Sequence, residues 1–150
     1  MLIRPATPPD IPAMRALEQQ TDTAAHWSER EYDALFAPDA PRRMAMLAIE
    51  SDDHCGFIIA RCGVDDWEIE NIVVAAAQRR RGVGSALVRE IVHAARQVCV
   101  PAILLEVRES NLAARQLYEK MGFIQEGRRA AYYREPLEDA LLLRFSMQNL

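Results

Sequence analysis

From residue 44 to residue 74 the apolar positions fall into short runs separated by turn-forming clusters, and from residue 83 they recur at helical spacing. Met44 to Glu50, Cys55 to Cys62 and Trp67 to Val74 read as three strands, divided by Ser51-Asp52-Asp53 and Gly63-Val64-Asp65-Asp66. Turns this short join antiparallel neighbours, so the three predict a meander. Val83, Leu87, Ile91, Ala94 and Val98 then form the stripe of a helix lying on a sheet, closed by Pro101. Ile103-Leu104-Leu105-Glu106-Val107 is apolar on both faces except for one glutamate, as in a covered strand beside a crossover helix.

The flanks complete the picture. Leu2 to Arg4 reads as a short strand stopped by Pro5-Ala6-Thr7-Pro8-Pro9, because proline gives no donor to a ladder. Asp10 is expected to cap a helix that tolerates Pro12 in its first turn and has Met14 and Leu17 on its apolar side. Ser28-Glu29-Arg30-Glu31 has capping-box spacing and predicts a second helix to about Phe36, ended by Pro38 and Pro41. A further helix is expected from about Asn111 to Met121, with Gly122 as its left-handed cap. Phe123 to Glu126 and Ala140 to Met147 are the last strand candidates. The expected architecture is an α/β domain with a mixed, mostly antiparallel sheet flanked by helices, and 150 residues are enough for one such domain over 1–150.

Composition narrows the function. A net charge of -4 argues against wholesale nucleic-acid binding, although Arg79 to Arg81 is a local exception. The apolar runs are short and the N-terminus lacks the zones of a signal peptide, so neither membrane insertion nor export is expected and the protein is placed in the cytoplasm. Cys55, Cys62 and Cys99 lack metal-ligand spacing, and simple alternation would put Cys55 and Cys62 on opposite strand faces; buried, reduced thiols are expected. His26, His54 and His93 form no ligand spacing with each other or with the cysteines, so no metal is inferred. Acidic clusters at residues 50–53 and 65–70 suit a cationic partner or an ordinary solvated turn equally well.

The densest chemical signal is Ile69-Glu70-Asn71-Ile72-Val73-Val74 leading through Arg79-Arg80-Arg81-Gly82-Val83-Gly84-Ser85 into the long helix. Glycines admit a ligand close to the backbone, and the first turn of a helix presents unpartnered N–H groups. Exposed arginines there oppose the macrodipole at a cost of ~0.3–1 kcal/mol each, which a bound polyanion would relieve; a solvated charge run is the plainer alternative. A Walker loop is excluded because no Gly-Lys-Ser or Gly-Lys-Thr follows. A dinucleotide fingerprint needs a third glycine where Leu87 stands. The remaining pattern, Arg79-Arg80-Arg81-Gly82-Val83-Gly84, resembles the pyrophosphate loop of acetyl-CoA-dependent N-acetyltransferases of the GNAT superfamily.

That resemblance runs through essentially the whole chain. It includes Trp27-Ser28, Asn71-Ile72, Leu105-Glu106-Val107-Arg108, Ser110-Asn111, Leu117-Tyr118-Glu119, Met121-Gly122-Phe123, Arg129 with Tyr132-Tyr133, and Glu138-Asp139-Ala140. Within the superfamily it is most similar to the bacterial ribosomal-protein-alanine N-acetyltransferases. It departs from them at His26, where a proline usually precedes Trp-Ser, and at Ala75-Ala76-Ala77, departures that concern the acceptor rather than the cosubstrate. The resemblance implies splayed strands at an acetyl-CoA site, with Ile72, Val73 and Val74 bonding the pantetheine amides like an added strand. It implies that Arg80, Arg81, Gly82, Val83, Gly84 and Ser85 hold the pyrophosphate, and that Asn111 contacts CoA. The implied acceptor is a protein N-terminus, that of a ribosomal protein included.

Amine acylation needs a neutral amine, a polarised carbonyl and a proton for the thiolate. An α-amine, reference pKa ~7.7–8.0, is easier to deprotonate than lysine at ~10.4 by roughly 3 kcal/mol, so an N-terminal acceptor needs only a mild base. Glu106 shares a strand face with Leu104 in a segment fit for burial, where desolvation would suit it to that task. The resemblance makes it the proton acceptor; the structural alternative is a carboxylate paired with Arg108 or Arg115. Asn111 and Tyr118 are two helical turns apart and share a face. Tyr118 is the expected general acid or, alternatively, a core aromatic beside Leu117 and Phe123, and Asn111 alternatively caps its helix. Glu68, Trp27, Tyr132 and Tyr133 are weaker candidates for holding an acceptor peptide. Acetylation of a lysine, a polyamine or another small amine on the same fold, and noncatalytic acyl-CoA binding, remain open alternatives.

Overall fold

The computed structural model describes residues 1–22 and 24–147. Its strands are β1 (Leu2–Pro5), β2 (Arg43–Glu50), β3 (Asp53–Cys62), β4 (Trp67–Val74), β5 (Ala102–Arg108), β6 (Ile124–Arg134) and β7 (Leu137–Ser146). The helices are α1 (Ile11–Gln19), α2 (Glu29–Ala34), α3 (Val83–Gln97) and α4 (Leu112–Met121). The strands form one sheet in the order β1-β2-β3-β4-β5-β7-β6, antiparallel throughout except for β4 against β5. The mixed, mostly antiparallel sheet flanked by helices is the architecture expected.

Two apolar cores sandwich the sheet. Val83, Leu87, Val88, Ile91, Val92 and Ala95 of α3 pack with Tyr118 of α4 on Ile58, Ala60, Ile103, Leu105, Leu141 and Leu143. On the other face Met14 and Leu17 of α1 and Tyr32 of α2 cover Leu47, Phe57, Ile59 and Val73. Fully burying one such aliphatic or aromatic side chain is worth ~1.5–3 kcal/mol, so these stripes, rather than helix propensity, hold the helices in place.

Local rules set most boundaries. Ser28 and Glu31 close the capping box at α2, each accepting from the other's backbone N–H at 3.1 Å, and α2 stops at Ala34, short of Phe36. Gly122 at φ +105 ends α4, with its N–H and that of Phe123 returning to the last carbonyls. Asp10 acts differently from expectation. It stands where α1 begins without capping it; Thr7 and Asp10 form a capping box around the short 3₁₀ turn Pro8–Asp10, and both Asp10 oxygens accept from Arg4 at 2.8 Å. The α3 stripe also ends earlier. Cys99 turns back at φ +60, so Val100 is buried while Val98 is 58% exposed.

Within the β2-β3-β4 meander two β-bulges shift the alternation by one residue. Cys55 is the extra residue of β3 opposite Ala48 and Ile49. It therefore lies on the α3 face with Ile58 and Ala60, and Cys62 packs against the same core, which corrects the opposite-face expectation. All three cysteines are free thiols, but only Cys55 is buried and Cys99 is exposed. Glu70 is the extra residue of β4, between Ile69 opposite Ala60 and Asn71 opposite Ile59. Trp67 and Ile69 accordingly face α3, whereas Asn71 and Val73 face α1.

Candidate active site

β4 and β5 pair only from Trp67 opposite Ile103 to Ile69 opposite Leu105, and then part. The separation begins at the Glu70 bulge, while β5 continues alongside β7 from Glu106 to Arg108. The N–H of Ala75 donates to Cys55 of β3 at 2.8 Å. Because backbone polar groups alternate sides along a strand, those of Val73 face β3 and those of Ile72 and Val74 face the gap. Val73 is 1% exposed and commits its side chain to the core under α1.

The gap is closed at one end by the first turn of α3. Gly82 is its N-cap at φ +80, and a Cβ there would meet nothing within 4 Å, so the backbone is open to an approaching group. A Cβ on Gly84 would lie 3.0 Å from Leu117 of α4 and 3.7 Å from Val74, which puts α3, α4 and the end of β4 in mutual contact there. Arg79, Arg80 and Arg81 are exposed, with Arg80 at φ +65 and Arg81 only 4.0 Å from Glu50. Unpartnered first-turn N–H groups, an open glycine and three exposed cations suit a polyphosphate.

Glu106 stands one residue beyond the last position at which β5 pairs with β4, on the face away from α3. It pairs with Arg129 of β6 at 3.4 Å, with its side chain 22% exposed. The structural partners expected from the sequence are engaged elsewhere: Arg108 with Glu138 at 3.2 Å, and Arg115 with the Glu109 carbonyl at 2.7 Å. Arg108 also lies over the Tyr133 ring, 4.1 Å from its centre, and Arg129 over Tyr132 at 5.4 Å. Burial, then the charge of Glu106, pushes the Tyr133 phenol up.

Tyr118 is 3% exposed and packs on Phe123 with ring centres 5.5 Å apart. Burial holds its phenol well above the ordinary tyrosine range, with Tyr133 adding to the effect, so Tyr133 is within electrostatic reach of both Tyr118 and Glu106. Asn111 caps α4, accepting from the Ala114 N–H at 3.2 Å. Glu106 and Tyr118 thus lie on opposite faces of the sheet, Tyr118 in the core under α3 and Glu106 at the fork on the other side. Trp27 packs at a tilt against Tyr32, ring centres 5.6 Å apart, and lies under Arg43, which pairs with Glu70 at the bulge; Glu68 is held by Arg61 at 2.8 Å.

The acetyltransferase (GNAT) family model matches residues 11–123. The chain belongs to the GNAT acetyltransferase family. The ribosomal protein bS18-alanine N-acetyltransferase of Salmonella typhimurium strain LT2 is 32% identical over 136 residues, 89% of each chain. The N-alpha-acetyltransferase RimI of Mycobacterium tuberculosis is 39% identical over 79 residues, 53% of this chain and 48% of that protein. The crystal structure of the ribosomal-protein-S18-alanine N-acetyltransferase from Escherichia coli superposes with a TM-score of 0.85 at 28% identity, covering 97% of this chain and 93% of that one. This GNAT protein is an N-acetyltransferase on a GNAT fold. Among the described residues, no helix is long and apolar enough to cross a membrane.

Two contacts escaped the sequence reading, Glu106 with Arg129 and Glu18 with Asn71. Arg129 was matched by pattern but not as the partner of Glu106, since the two are brought together only by β5-β7-β6 pairing. Glu18 and Asn71 are 3% and 4% exposed, and the Asn71 amide donates to the Glu18 carboxylate. The signal for this pair existed, because Glu18 follows Met14 by one helical turn on the apolar side of α1.

Proposed function

We propose that this enzyme transfers the acetyl group of acetyl-CoA to the N-terminal α-amine of a protein, a ribosomal-protein alanine being the first acceptor to test, by direct attack in a ternary complex. The observation that carries the reading is the parting of β4 and β5 after Ile69 and Leu105, with Glu106 at the fork and the first turn of α3 at its far end. The relatives named for N-terminal acetylation support the acceptor class.

Acetyl-CoA, when bound, supplies an activated thioester carbonyl. Ile72 and Val74 offer free strand hydrogen bonds to its pantetheine arm, with Val73 anchoring the strand between them. Val83, Gly84 and Ser85 N–H groups at the helix start, with Gly82, Arg80 and Arg81, hold the pyrophosphate. Asn111 shapes the start of α4 through its cap and faces the same ligand. Glu106 takes the amine proton, directly or through a water, and Arg129 orients its carboxylate. Tyr118 stays protonated at neutral pH. Its burial also makes it a weak acid, so its part in the general-acid role is to donate a hydrogen bond to the departing sulfur as thiolate charge develops. No covalent enzyme intermediate is needed.

The test is intact-mass detection of transfer from acetyl-CoA to two otherwise identical peptides, one with a free N-terminal alanine and one N-terminally blocked with an internal lysine. The proposal expects reaction at the free alanine only. Preference for the blocked peptide would move the acceptor to lysine or small amines, and tight CoA binding without turnover would favour a noncatalytic module.

A further inference from the structure

The chemistry above leaves two buried carboxylates unused, Asp10, which is paired with Arg4, and Glu18. Glu18, in the last turn of α1, is 3% exposed, and its neighbours are polar but uncharged: the Asn71 side-chain amide donates to it, and the Tyr32 phenol group lies near it. Burying a carboxylate without a cation is costly, so a structure that keeps one there needs it for its geometry. The Tyr32 hydroxyl is fully buried without a hydrogen-bond partner among the described residues. Burial and the negative charge of Glu18 push its phenol well up.

The other end of the Asn71 amide decides what this geometry serves. Its Oδ1 accepts from the Ala25 N–H at 3.5 Å, in the segment between α1 and α2 that leads to Trp27. Asn71 itself follows the Glu70 bulge and precedes Ile72, whose backbone faces the gap. One amide therefore joins three pieces: α1 through Glu18, the Ala25–Trp27 segment through Ala25, and the start of the splayed stretch of β4. The pieces are unequally held without it. β4 keeps its ladder to β3 from Asn71 to Val74, whereas the segment before Ser28 has no ladder.

We infer that Glu18 is a positioning residue that, by holding the Asn71 amide in one orientation, fixes the Ala25–Trp27 segment as a wall of the acceptor subsite. This rests on the acetyl-transfer reading and deepens it. Losing the tie frees the segment while β4 stays in its ladder, so the acceptor suffers and acetyl-CoA does not.

The test combines steady-state kinetics on the free-alanine peptide with amide hydrogen exchange. Glu18→Ala is expected to raise the acceptor KM about 10-fold or more while the acetyl-CoA KM stays within about 2-fold, since an unpaired buried amide costs enough to reorganise its surroundings. Exchange should accelerate at Ala24 to Trp27 and not in β4. Glu18→Gln, whose carbonyl still accepts from Asn71, should keep both constants near wild type. Asn71→Asp should lose acceptor affinity by opposing two carboxylates, and combining it with Glu18→Gln should restore it by reversing the donor; this pair decides the matter if Glu18→Ala does not fold. An unchanged acceptor KM, an equal rise in both constants, or failure of the reversed pair to recover overturns the inference. If wild type acetylates no peptide, the proposed function fails, and unaltered exchange in Glu18→Ala would separately overturn the tie.

Discussion

Replacing Asp10 by alanine removes a junction between β1, the 3₁₀ turn and α1, and its cost can be worked from the contacts. Asp10 is 7% exposed and accepts from Arg4 Nη1 and Nη2 at 2.8 Å each, from the Thr7 N–H at 2.7 Å and from the Thr7 hydroxyl at 3.0 Å. Loss of its half of the capping box around the 3₁₀ turn costs about 1 kcal/mol, by analogy with a lost helix cap. The charge-assisted bonds add on the order of 1 kcal/mol to Asp10's share after discounting for the exposed partner, which water rehydrates when the carboxylate leaves. Asp10→Ala should thus destabilise by about 2 kcal/mol, or about 4–8 °C in Tm for a chain of this size. Bonding to Arg4, then to Thr7, holds the Asp10 carboxyl far below the usual carboxylate range. A folded pKa below the unfolded one means that the stabilisation is fully present above the unfolded value, ~3.9, and shrinks as pH falls below it towards the folded value. Urea melts of wild type and Asp10→Ala at several pH values between neutrality and about 3 should show a gap that is constant above about 5 and narrows on acidification. A gap below about 0.5 kcal/mol at pH 7, or one that widens in acid, would refute the reasoning.

Glu106→Gln and Tyr118→Phe should each lower kcat by about 10²–10⁴-fold with little change in Tm, measured by intact-mass progress curves and thermal melts; turnover within about 3-fold of wild type would remove the residue from the mechanism. Gly82→Ala should cost about 1–2 kcal/mol, read from urea melts, because its Cβ meets open space but φ is +80. Cys99 should react with a maleimide in the native protein, whereas Cys55, buried and with its thiol pushed up by burial, should be labelled only on unfolding; mass spectrometry of labelled digests separates the two.

How far the chain could be read depended on whether side-chain pattern or strand count carried the information. α2 and α4 were legible because Ser28-Glu31 and Gly122 state their ends in local chemistry. The β2-β3-β4 meander and the α3 stripe followed from burial of one face. The β6 hairpin was not: Phe123 to Glu126 was expected, whereas β6 runs from Ile124 to Arg134, nearly all of it exposed. With no face to bury, it shows no alternation. It is held instead by its ladder to β7, by Arg128 with Glu109 and Asp139, and by Asp139 accepting from the Ala131 N–H. The pairing of Glu106 with Arg129 was hidden for the same reason. Glu106, Tyr118 and the glycine loop were found through ordered motif matches; burial and charge pattern alone left each of them with a structural alternative.

The Glu70 bulge makes chain length itself part of the site. Deleting Glu70 would make Asn71 the direct neighbour of Ile69, so that Asn71 and Val73 keep their side towards α1, but it would remove the kink at which the two strands part and let β4 follow β5. What Glu70 contributes is therefore a count, independent of its side chain. Substitution scanning across 67–74 would rank position 70 by little more than its pairing with Arg43, whereas a single-residue deletion scan would mark it as a place where the enzyme can be switched off without altering any other side chain.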